Sequence, residues 1–141
     1  MIKYKIIELL NNKNIKFTES SKWGQYLRGV WEENFAEQLS ADEKKKIYLE
    51  QYLWHVFSYK KILCLKNDQA IMEFNKVIKS QRTCYIFFQH SDLALIVESS
   101  SSITSEDLEY DDDIYIVDKG FTWTYIQTHE EQCGPYFSTR I

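Results

Sequence analysis

Proline and glycine are nearly missing from this chain, with one proline and four glycines in 141 residues. That scarcity excludes collagen-like and low-complexity architectures, and no Pro/Gly-rich linker marks a domain boundary. Cysteine is scarce too. Cys64, Cys84 and Cys133 are odd in number and widely spaced, which argues against a disulfide framework and against a CxxC zinc site. They read as buried or bystander thiols, with Cys133 set apart because it lies in a loop close to His129. Long apolar runs are also lacking. A run such as residues 85–88 is far too short to span a bilayer. The opening Met1-Ile2-Lys3-Tyr4-Lys5 carries the charge of a signal segment, but Glu8 and Asn11-Asn12-Lys13 interrupt any apolar stretch behind it, and no small-residue cleavage site follows. These absences predict a cytoplasmic protein with no membrane partner.

Positive charge is the last shortage, and it is local. Residues 1–80 hold 14 Lys and Arg against 10 Asp and Glu, whereas residues 81–141 hold 3 against 11. The second half is therefore strongly anionic, which disfavours nucleic acid and favours a basic partner or a cation. What the chain does have is apolar and aromatic mass. It is 44% hydrophobic and 16% aromatic, with a mean hydropathy of -0.45. This fits one folded domain able to build a core without metal or disulfide support.

Ile2, Ile6, Leu9 and Leu10 recur at helical spacing and predict a helix over residues 2–11. Trp23, Leu27, Val30, Trp31, Phe35 and Leu39 form the clearest amphipathic stripe, with Ser20 or Ser21 as its expected N-cap. Ser40-Ala41-Asp42-Glu43 is a capping-box pattern that opens a third helix, with Lys44, Lys45 and Lys46 on its outer side. Residues 53–58, LWHVFS, read as a strand from their aromatic and β-branched content. Asn67-Asp68 opens a helix with Ala70, Ile71, Phe74, Val77 and Ile78 on one face. From Thr83 the period becomes two. Residues 83–90 and 93–98 form one hairpin through Ser91-Asp92. Residues 114–118 and 122–128 form another through Lys119-Gly120. Between them the polar, acidic SSSSITSEDLEYDDD reads as a surface loop holding a helical turn near Ser105 to Leu108.

Three groups of residues could carry chemistry. His55, His90 and His129, with Asp92, Glu130 and Cys133, are ingredients of a metal or acid–base site, yet none has a diagnostic metal-ligand spacing. In an up-down meander the strands ending at His90 and His129 point in opposite directions, and a crossover through the acidic loop is what would reverse this. Alternation puts Trp123, Tyr125, Gln127 and His129 on one strand face. His129 and Glu130 form the candidate acid–base pair, with Cys133 as a possible helper. The acidic run Glu106, Asp107, Glu109, Asp111, Asp112 and Asp113 could present carboxylates to a basic surface. It fails the calcium-loop spacing. Trp23, Trp31, Tyr110, Tyr136 and Phe137 are candidate interface aromatics.

Taken together, WGQYLRGVWEENFAEQLS, LWHVFSY, the helix through Ala70 and Phe74, CYIFFQH, DIYIVD and WTYIQTHE...GPYF resemble a family of small bacterial proteins of unknown function. That family is most frequent in spore-forming Gram-positive bacteria. The resemblance implies one compact domain in a bacterial cytosol and carries no activity, cofactor or catalytic assignment. In size and acidity the chain is also similar in style to immunity proteins of bacterial toxin systems.

The expected fold is a single α+β domain over residues 1–141, helical to about residue 80 and sheet beyond it. N-terminal helices should pack on one face of a four- or five-stranded, mainly antiparallel sheet. The expected core includes Leu27, Trp31, Phe35, Phe74, Ile86, Phe88, Ile96, Ile116 and Ile126. The expected function is non-enzymatic protein binding, immunity-like or regulatory. A basic partner would be engaged through Glu106, Asp107, Glu109, Asp111, Asp112 and Asp113, rimmed by Trp123 and Tyr136. No cofactor or metal is implied, and nothing in the chain sets an oligomeric state. The alternative is a hydrolase-like enzyme centred on His129 and Glu130, metal-assisted or not.

Overall fold

Apolar residues four apart define the helices. The computed structural model describes residues 4–109, 111, 113–130 and 132–140. Ile2, Tyr110, Asp112 and Glu131 thus lie outside the described residues. Helix α1 (Lys5–Asn12) buries Ile6 and Leu10, and α5 (Asn67–Ile78) buries Ala70, Phe74 and Ile78. Helix α2 (Gly24–Phe35) buries Leu27, Trp31 and Phe35, as its stripe predicts. Helix α3 (Ala41–Lys46) opens on the capping box read from the sequence. Ser40 Oγ accepts from the Glu43 amide at 3.1 Å, and the Glu43 carboxylate accepts from the Ser40 amide at 3.1 Å. The Ser40 amide bond holds the Glu43 carboxyl below its ordinary range.

Neither Ser20 nor Ser21 caps α2. Ser20 belongs to a strand, and the helix begins where the Gly24 amide donates to the Asp92 carbonyl at 2.7 Å. The two backbones touch there. A Cβ on Gly24 would meet Asp92 backbone atoms at 2.7–2.8 Å, while one on Gly29 in the same helix would meet nothing within 4 Å. Gly24→Ala is therefore expected to destabilise by about 1–3 kcal/mol. Gly29→Ala is expected to stabilise by about 0.5–1 kcal/mol. Urea unfolding of both variants reads the contrast, and equal effects would refute the close approach.

Residues 53–58 do not form a strand. Leu53, Trp54, Val56 and Phe57 are all buried, a spacing that suits a turn of helix, and α4 (His55–Ser58) is what forms. The Leu53 and Trp54 amides donate to side chains instead of to a β-ladder.

Among the described residues, seven strands make one sheet in the order β1-β4-β3-β5-β6-β7-β2, every neighbouring pair antiparallel. The two expected hairpins are present. One pairs β3 (Thr83–Phe88) with β4 (Ala94–Glu98), and the other pairs β5 (Ile114–Asp118) with β6 (Trp123–Gln127). The second turns where the Asp118 carboxylate accepts from the Thr122 and Trp123 amides, with Phe121 in the left-handed region. Three further strands join the four of these hairpins, so the sheet is larger than the expected four or five strands. They are β1 (Phe17–Ser20), β2 (Leu65–Lys66) and β7 (Tyr136–Thr139), all short, and β1 and β2 form the two edges.

The helices cover both faces of the sheet, not one. Ile86, Phe88, Ile116, Trp123, Tyr125 and Phe137 pack with α1 and α5. Phe87, Tyr115, Val117, Ile126 and Tyr136 pack with α2 and residues 47–57. Covering both faces explains why all five residues of β5 are buried, with no polar-out alternation. The expected core residues are buried except Ile96, which is half-buried. No described helix is long and apolar enough to cross a membrane.

The acidic stretch is a crossover. After β4 the chain passes through two short 3-10 turns, Ser100–Ser102 and Ser105–Leu108, and returns as β5 on the far side of β3. Because β5 is antiparallel to both β3 and β6, those two strands run parallel to each other. Their C-terminal ends share one edge of the molecule, so the expected separation of His90 from His129 is overturned.

Candidate functional site

At that shared edge a buried carboxylate holds an imidazole. The register of the second hairpin pairs Ile114 with Gln127, which leaves Asp113 just before β5 and His129 just after β6 at the same end. His129 Nδ1 lies 2.9 and 2.8 Å from the two Asp113 carboxylate oxygens, and the His129 amide donates to Oδ1 at 3.2 Å. Trp54 Nε1 donates to the same Oδ1 at 2.9 Å. An ionised carboxylate can only accept, so the His129 Nδ1 carries a proton and the acceptor lone pair of the neutral ring sits on Nε2. Nε2 is 3.5 Å from Glu130 Oε1. The Asp113 side chain is 6% exposed and that of His129 32%. The pair is thus anchored inside and reachable from outside.

The end of β6 explains how His129 gets there. The ladder stops at Gln127, and Thr128 Oγ1 donates to the Glu130 carbonyl at 2.9 Å and to the Cys133 carbonyl. The chain leaves the strand alternation, so His129 does not continue the Trp123–Tyr125 row. Those two pack against Phe74 on the α5 side. His129 instead lies 5.2 Å from the Tyr52 ring and 6.1 Å from the Trp54 ring, centroid to centroid.

Tyr52 collects all three histidines. Its half-buried ring is 5.2 Å from His55, 5.3 Å from His90 and 5.2 Å from His129. His55 Nδ1 donates to the Ile47 carbonyl at 2.6 Å. The segment bearing Tyr52 and Trp54 is clamped to the sheet by a buried polar network. Gln89 Oε1 accepts from the Leu53 amide at 2.9 Å and from the Tyr115 hydroxyl, and that hydroxyl accepts from the Trp54 amide at 3.2 Å. Complete burial pushes the Tyr115 phenol well above its ordinary range, so it stays neutral and keeps donating. Although the three rings gather, no group of three or more His, Cys, Asp or Glu among the described residues is arranged to hold a metal ion.

The cysteines are not activated. Burial, and then the Glu130 carboxylate beside it, push the Cys133 thiol up, which is the wrong direction for a nucleophile. Burial likewise raises Cys64, and Cys84 to about 12.

The acidic run does not form a continuous exposed patch. Only Glu106 and Glu109 of its described members face solvent. Asp107 is buried and takes the Lys13 ammonium at 2.6 Å. Asp111 is buried and accepts from the Lys5 and Ile6 amides at 2.9 and 2.8 Å, capping α1 from 105 residues away. Asp113 serves His129, and Asp112 lies outside the described residues. The expected aromatic rim is also corrected. Trp123 at 5% exposure and Tyr136 at 3% are core residues, stacked on Phe137 and packed on Phe57 respectively. Trp31 and Phe137 are buried as well, and Trp23 is half-buried.

A family model described as a domain of unknown function, DUF4275, matches residues 4–137. The chain belongs to this family. Among curated proteins and among solved structures, nothing matches. Membership in DUF4275 thus spans the sheet, both helical layers and the His129 edge, without attaching a reaction to them.

Sequence reading named His129 and Glu130 as a candidate pair and assigned Asp113 to a binding surface; it did not name Tyr52, Trp54, Gln89 or Tyr115, which the structure brings to the same edge. The signal for Asp113 was present. A hairpin joining 114–118 to 122–128 places residue 113 across from the end of the second strand, next to His129.

Proposed function

We propose that this protein is a hydrolase-like enzyme whose acid–base centre is His129, oriented by Asp113 and flanked by Glu130. One observation carries this reading: a nearly inaccessible carboxylate bonds Nδ1 of an imidazole that remains a third exposed. That arrangement fixes the ring's tautomer and turns a basic nitrogen outward, as a general base requires. In this scheme Nε2 takes a proton from an attacking water and returns it to the leaving group. Glu130 Oε1, 3.5 Å from Nε2, supplies a negative charge that favours the imidazolium formed in that step. No side chain is asked to form a covalent intermediate, in keeping with the raised Cys133 thiol.

The test is turnover of a panel of chromogenic carboxylic esters, phosphate esters and glycosides. One class is expected to be hydrolysed, and His129→Gln and Asp113→Asn, checked for folding, are expected to lose roughly 100- to 10,000-fold. A panel left untouched, or turnover indifferent to His129→Gln, counts against the proposal. Docking of a basic protein partner on the acidic run is supported less well, because Asp107, Asp111 and Asp113 bond inward.

A further inference from the structure

Asp113 Oδ1 does not belong to His129 alone. It accepts from Trp54 Nε1 at 2.9 Å, a bond buried on both sides. We propose that Trp54 is a positioning residue that sets the basicity of His129 by sharing the Asp113 carboxylate. This rests on the acid–base reading of His129. A carboxylate stabilises an imidazolium in proportion to the negative charge it can offer. A neutral donor fixed on one oxygen draws off part of that charge without supplying a proton at neutral pH. The indole is held firmly enough to act this way. Its amide is bonded to the Tyr115 hydroxyl, the preceding amide is bonded to Gln89, and the Gln89 amide donates to the Asp113 carbonyl at 3.2 Å. The 53–54 segment and the start of β5 are thereby locked to each other.

Among the described residues, charged and titratable groups face His129 from three directions. Asp113 lies behind Nδ1, Glu130 lies beside Nε2, and the Tyr52 ring packs against the imidazole with His90 and His55 on its other sides. Trp54 changes none of these directly except Asp113, which makes its effect separable.

Isotope-edited NMR of the imidazole signals gives the titration midpoint of His129 in the full chain without a substrate. Trp54→Phe is expected to raise that midpoint by about one pH unit, because a bond to a charged acceptor is removed. Trp123→Phe, which removes an indole N–H on the opposite face of the sheet, is expected to leave the midpoint in place. Should Trp54→Phe fail to fold, benzothienylalanine incorporated at position 54 keeps the ring shape, replaces the N–H by sulfur and is expected to give the same rise. An unchanged or lowered midpoint in either folded variant overturns the proposal. Asp113→Asn tests the parent reading separately. If it leaves the His129 midpoint unmoved, the Asp113–His129 pair itself is refuted, whereas failure of the Trp54 arm alone refutes only the tuning.

Discussion

Asp113→Ala is expected to lower the unfolding free energy by roughly 2–4 kcal/mol. The estimate follows from what the carboxylate satisfies. It accepts from the indole N–H of Trp54, from the backbone amide of His129 and from His129 Nδ1. Trp54 is 2% exposed, so its N–H has no access to water once the acceptor is gone. A buried donor left unsatisfied costs about 1–3 kcal/mol, and the amide and imidazole add less because they lie nearer solvent. Urea denaturation measures the loss. His129→Ala supplies the comparison. Its side chain is 32% exposed and its removal leaves Asp113 two of its donors, so a smaller loss is expected. Asp113→Ala behaving like the wild type would mean that the carboxylate is not built into this edge of the fold.

Trp31→Ala carries the largest expected effect on the opposite flank of the same layer, about 3–5 kcal/mol. Trp31 is wholly buried. Its ring meets Phe57 and Tyr115 edge-on at 6.0 and 5.8 Å, and its Nε1 donates to Thr124 Oγ1 at 2.9 Å. It therefore joins α2, the 47–57 segment and two central strands at one point. A loss of that size lowers the melting temperature by roughly 10–17 °C in a chain this long. Trp31→Phe keeps most of the ring and gives up the bond to Thr124, so it should cost about 1–3 kcal/mol. Thermal and urea unfolding read both variants. If Trp31→Ala melted within a degree or two of the wild type, α2 would not be packed on the sheet as described.

The contrast between these two residues also explains how much was legible in the chain. Trp31 lies on a stripe with Leu27 and Phe35, and a helical period is a local signal, so its burial is readable without a fold. Asp113 sits in a run of acids, and local reading assigns such a run to solvent. Its actual partners come from Trp54, 59 residues earlier, and His129, 16 residues later. Asp111 likewise turns inward because the free amides of α1 need an acceptor. Nothing within a few residues of Asp111 or Asp113 announces those donors. Residues 53–58 misled for a related reason. Aromatic and β-branched content suits a strand, but the Leu53 and Trp54 amides found side-chain acceptors on the sheet in its place.

Periodicity alone was enough for α2, α5, the capping box at Ser40 and the two hairpins, since each depends on residues close in the chain. The lack of long apolar runs, cysteine pairs and linkers was equally a property of the chain as written. Tertiary structure decided three other things. It placed β5 beside β3, it covered the sheet with helices on both faces, and it brought His90, His129 and Tyr52 to one edge. The physical reason is common to all three. A sequence pattern specifies which face of an element is apolar, but what covers that face depends on the strand order. Which donors a carboxylate meets is set by the same packing.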